Sequence, residues 1–120
     1  MSPSEKRSFR LYLNDILTSA ERIDEYLGNL SYEEFIRDPK TMDAVIRNLE
    51  IIGEAAKKVP GDIKEKYTEV PWEGMYRLRN QVSHEYFGVD LEIIWDIIKN
   101  YLPKNYLQLK DIEKAEGFGD

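Results

Sequence analysis

Apolar residues return at helical spacing along almost the whole chain, and this most narrows what it can fold into. Phe9, Leu13, Ile16, Leu17, Ala20, Ile23 and Leu27 form one stripe that stops at Gly28. Ser2-Pro3-Ser4-Glu5 stands ahead of it as an N-cap serine, a first-turn proline and a capping-box glutamate. Ser31-Tyr32-Glu33-Glu34 repeats the capping box and opens a short segment to about Arg37. Asp38-Pro39 restarts the chain into Met42, Val45, Ile46, Leu49, Ile52, Ala56 and Val59, which Pro60-Gly61 ends. Gly53 inside that stripe fits close helix packing, since a glycine in mid-helix otherwise costs about 1 kcal/mol.

A short turn of helix is predicted around residues 63–67, then a helix from Trp72 into the mid-80s, stopped near Gly88. Asp90 is placed to cap a last long helix through Leu91, Ile94, Trp95, Ile98 and Leu102, with Ile93 and Ile97 as a second apolar strip. Pro103 is expected to kink or end it, and Leu107, Leu109 and Ile112 to form a further helical piece. No segment alternates at period two for long. The expected fold is all-α: an antiparallel bundle of four main helices plus short ones, one domain over residues 1–116 and a flexible tail at 117–120.

Composition supports a folded core, because 32 of 120 residues are Leu, Ile, Val or Phe. The absence of cysteine excludes disulfides, thiolate metal sites and a cysteine nucleophile. One histidine means a His-type metal site would need carboxylates or a second subunit to complete it. The formal charge of −6 argues against broad nonspecific nucleic-acid binding but leaves room for a local basic site. No run reaches the length of a membrane span, and the first residues lack the apolar core of a signal peptide. The expectation is a cytoplasmic protein.

The polar residues of the helix from Trp72 are the informative ones. Trp72, Met75, Val82 and Tyr86 share a sector, and Arg79 falls in its middle. A structural ion pair or a snorkelling side chain explains such an arginine, and so does a functional site. Arg77, Asn80, Gln81, Ser83 and His84 cover most of the other side, with His84 roughly 140° from Arg79 on a regular helix. One straight helix therefore cannot aim both at one atom. Taken alone, His84 reads as a helix-end histidine favoured by the C-terminal dipole, and Tyr86 as a packing residue. The sequence contains no HExxH, P-loop, GxGxxG or GxSxG motif.

Arg79-Asn80-Gln81-Val82-Ser83-His84-Glu85-Tyr86 reads R-N-x-x-x-H-x-Y, which resembles the signature of the HEPN superfamily. The resemblance is to its HepT-like branch, the toxin half of HepT/MntA toxin–antitoxin pairs. Ile52-Gly53-Glu54-Ala55-Ala56-Lys57, Pro71-Trp72 and Val89-Asp90 with Ile94-Trp95 extend it over nearly the whole chain. It implies a homodimeric helical bundle with two motifs lining a cleft near the two-fold axis. It implies metal-independent endoribonuclease activity, with no cofactor, Arg79 and His84 as the catalytic pair and Asn80 in support. The partner it implies is a nucleotidyltransferase antitoxin of a type VII-like pair, which transfers AMP to the motif tyrosine, here Tyr86. The alternative is a non-catalytic dimeric HEPN module that binds nucleotide or a nucleotidyltransferase. A purely structural helical dimer would leave Arg79 on its apolar stripe unexplained.

Overall fold

A computed structural model describes residues 1–82 and 90–118, with the side chains of residues 79–82 outside the description. The helices form where the caps and stripes place them. Helix α1 spans Pro3–Leu27, α2 Tyr32–Ile36 and α3 Pro39–Lys58, each opened by an N-cap side chain from Ser2, Ser31 and Asp38 respectively. Helix α4 spans Gly61–Lys66 and α5 Trp72–Val82. Both Ser caps close full capping boxes, so the first-turn amides have acceptors before any tertiary contact forms. Gly28 ends α1 at φ +50°, a backbone conformation that residues with a Cβ rarely adopt.

Of the two outcomes expected at Pro103, the helix is disturbed there but does not end. Helix α6, Leu91–Asp96, is capped by Asp90 and runs through a π-helical turn at Ile97–Tyr101 into α7, Leu102–Ala115. Pro103 lacks the amide that would close a regular α-turn at this point. The wider π-turn, with the Leu102 amide bonding the Ile97 carbonyl, carries the helix past it. Leu107, Leu109 and Ile112 therefore belong to the same helical course rather than to a separate piece.

The tail expected over residues 117–120 begins as a helix stop. Gly117 turns at φ +75°, its amide reaches the Lys114 carbonyl, and the Phe118 amide reaches that of Glu113. The Phe118 ring packs edge-on against Phe9 at 5.6 Å, so the tied chain extends past residue 116.

All described regular structure is helical, as expected of the all-α bundle. Helix α3 lies between α1 and α5, while α7 packs on α1. Phe9, Leu13, Ile16, Ile23, Leu49 and Ile52 are among the fully buried core side chains, and Ile94, Leu109 and Ile112 join them from the C-terminal course. Among the described residues, no helix is long and apolar enough to cross a membrane.

Candidate functional site

Helix α5 carries the first four residues of the motif, Arg79 to Val82. Pro71 precedes it, and the Trp72 indole nitrogen donates to the Tyr67 carbonyl at 3.0 Å. The Tyr67 hydroxyl in turn donates to Glu116, which also accepts from Lys66 at 2.9 Å. The ends of α7 and α4 are thus tied to the first turn of α5. Burial and hydrogen bonding raise the Tyr67 pKa, and the tyrosine and Lys66 bonds hold the Glu116 carboxyl below its ordinary range.

The buried face of α5 is made by Trp72, Met75 and Leu78, while Arg77 is exposed. Leu78 was not part of the expected stripe; a single leucine one turn beyond Met75 broadens the apolar sector. Position 79 follows Met75 by four residues and Trp72 by seven, the register that repeats on one helix face. The backbone thus places Arg79 in the third turn of α5, in the sector shared with Trp72 and Met75, and Asn80 one residue on. His84 and Tyr86 lie outside the described residues, as do the expected helix to the mid-80s and the stop near Gly88.

The neighbouring blocks acquire physical roles. Gly53 is buried on α3, the helix against α5. Lys57, one turn further along the same face, holds its ammonium over the Tyr76 ring of α5 at 5.0 Å. Ile94 is fully buried, and the Trp95 ring lies 5.3 Å from Phe35 and 5.8 Å from Tyr32, pinning α2 to the segment after the motif. Sequence reasoning missed the link from Glu116 through Tyr67 to Trp72. Its members are separated by up to 49 residues and follow no repeat.

Residues 16–112 match the family described as "Ribonuclease HepT-like", a span that contains α5 and the whole R-N-x-x-x-H-x-Y segment. The chain belongs to the HepT-like ribonuclease family. Ribonuclease is the enzyme class of that family. A "Putative RNase" of Methanocaldococcus jannaschii is 45% identical over 109 residues, covering 91% of this chain and 90% of that protein. A "Probable ribonuclease HepT" of Thermococcus cleftensis is 46% identical over 98 residues, 82% of this chain and 89% of that one. A "Putative RNase" of Caldanaerobacter subterraneus subsp. tengcongensis is 41% identical over 107 residues, 89% and 96% of the two chains. No solved structure matches the chain. The HepT-like assignment and the all-helical architecture agree on a HEPN-type bundle in which α5 is the motif helix.

Proposed function

We propose that this protein is a metal-independent endoribonuclease toxin, cutting RNA at a homodimer cleft with Arg79 and His84 and supported by Asn80. The observation that carries this reading is an unbroken R-N-x-x-x-H-x-Y segment inside a HepT-like match over residues 16–112. The working unit is the helical domain, expected over residues 1–116 and carried on to Phe118 by its packing on Phe9, in the cytoplasm, where RNA is the substrate.

The chemistry suits these side chains. A base removes the proton of the ribose 2′-hydroxyl, whose oxygen then bonds to the adjacent phosphorus. The 5′-oxygen leaves with a proton from an acid, and a 2′,3′-cyclic phosphate remains. Neutral imidazole, with an ordinary pKa of about 6.5, is suited to the first transfer near pH 7. A guanidinium offers permanent charge and paired donors to the crowded phosphorane. His84 is the base in this reading, and the partner protomer's copy of the same histidine is the acid. Arg79 carries the phosphate charge. A dimer resolves the angular problem on one helix, because the two groups at an atom need not come from the same protomer.

Tyr86 is the acceptor for AMP transferred by a nucleotidyltransferase antitoxin. A phosphate and an adenine on a phenol two residues from His84 would block RNA by bulk and by like charge.

The test is cleavage of mixed tRNA and mRNA in EDTA by the purified protein beside His84→Ala. Loss of cleavage in the variant alone supports the reading. Equal cleavage by both points to another site. No cleavage by either, with intact mass excluding bound AMP, supports the non-catalytic module, which the acidic charge balance favours.

A further inference from the structure

Charge is segregated along α1, the helix on which α7 packs. The first half of the helix carries Lys6, Arg7 and Arg10 against Glu5 alone. The second half carries Asp15, Glu21, Asp24 and Glu25 against Arg22 alone. Each half borders a groove along the α1–α7 seam. One, of about 550 Å³, is lined by Arg7, Arg10 and Leu11 together with Phe118. The other, of about 510 Å³, is lined by Glu21, Asp24, Leu102, Pro103 and Leu107.

The odd charges in each groove are already engaged. Glu113 in the first pairs with Lys110 at 2.9 Å, and Lys99 in the second lies over the Trp95 ring at 5.0 Å. The basic groove is also built rather than loose: Arg10 donates to the Phe118 carbonyl at 3.4 Å, and its guanidinium lies 5.9 Å from that ring. Each groove further carries one of the two most exposed large apolar side chains among the described residues, Leu11 at 64% and Leu107 at 65%.

We propose that the α1–α7 face is an interface with a second copy of this chain, the basic groove of each protomer seated on the acidic groove of the other. A two-fold contact requires that a patch be complementary to itself, so that each end meets the opposite end of its partner. This face meets that requirement in charge and in apolar anchors at once. Arg7 and Arg10 pair with Asp24 and with Glu21, whose Oε2 also accepts from the Tyr106 hydroxyl at 2.6 Å, about a midpoint near residue 15 or 16 of α1. Leu107 lines the acidic groove together with Glu21, so Leu11 pairs with Leu107 about the same midpoint. One axis therefore satisfies both pairings, with antiparallel α1 helices roughly 37 Å long facing each other. This contact is a second one, separate from the motif cleft, because α3 stands between α1 and the motif helix α5, and the inference does not depend on the ribonuclease reading.

The test uses charge reversal on the full chain, with helicity checked by circular dichroism. Arg7→Glu/Arg10→Glu and Glu21→Lys/Asp24→Lys should each lower the mass of the assembly, measured by light scattering at low ionic strength. A one-to-one mixture of the two variants should restore it, because every reversed end then meets an opposite charge. The native chain has no cysteine. Leu11→Cys mixed with Leu107→Cys should therefore give a covalent pair with a short bismaleimide. Leu11→Cys alone should not, since its two copies would stand about 15 Å apart. Unchanged mass in the variants, a mixture that fails to reassemble, or no Leu11–Leu107 cross-link overturns the proposal. So does loss of RNA binding in Arg7→Glu/Arg10→Glu with unchanged mass, which would make the basic groove a phosphate contact.

Discussion

Glu116 is nearly out of solvent, its side chain 8% exposed, and the Tyr67 hydroxyl and the Lys66 ammonium keep it charged. Its folded pKa is depressed, so its contribution is complete above the ordinary carboxylate value of about 4.3 and is lost as pH falls through the lower folded value. Glu116→Gln is expected to lower stability at pH 7 by about 1 kcal/mol. Thermal unfolding between pH 7 and 3 should show the gap to wild type closing below about pH 4. Asn48 is the opposite case. Its amide nitrogen reaches the Ala44 carbonyl at 2.8 Å, but its buried Oδ1 has no hydrogen-bond partner among the described residues. Replacing a half-satisfied buried amide by an apolar side chain of similar size is often neutral or stabilising. Asn48→Leu is expected to leave the urea midpoint unchanged or raise it, and a clear fall would show that the amide does more than fill space.

Among the elements, α2 and α3 show how differently two helices are held. Helix α2 has five residues, too few to be stable alone, and rests on its capping box and on Phe35 against Trp95. Ser31→Ala should cost about 1 kcal/mol in chemical denaturation. Helix α3 is central, and buried Gly53 lies on the face that carries Lys57 to Tyr76 of α5. Gly53→Leu should cost about 1–3 kcal/mol by overpacking. It should also reduce RNA cleavage, because the helix pushed away carries Arg79. Intact cleavage in a destabilised Gly53→Leu protein would show that the α3–α5 spacing does not set the site.

At the scale of the whole molecule, the proposed function places catalysis and regulation at a dimer cleft. His84→Ala is expected to lower cleavage by about 10²–10⁴, the range of a lost acid–base group. Arg79→Lys is expected to fall well below wild type, since an ammonium cannot replace a planar fork of donors. A heterodimer with one His84→Ala subunit distinguishes shared from separate catalysis. Reduced turnover at each cleft in single-turnover pH profiles fits a base and an acid from different protomers, and full activity per cleft excludes that arrangement.

The caps, the helix order and the apolar stripes were legible in the amino-acid sequence because their determinants act within three or four residues. Ser2 with Glu5 and Ser31 with Glu34 need nothing beyond one turn of chain. The motif was legible for the same reason, as eight contiguous residues. Other features needed the folded chain. Arg10 meets Phe118 across 108 residues, Tyr106 bonds Glu21 across 85, and Tyr67 bonds Glu116 across 49. Pro103 announced a disturbance, but the burial of Ile98 and Leu102 before it and of Leu109 after it holds the course helical. Local hydrogen bonding therefore determined which segments became helices. Tertiary burial decided that Leu78 joins the buried face of α5, and that the two halves of α1 line a seam with opposite charges.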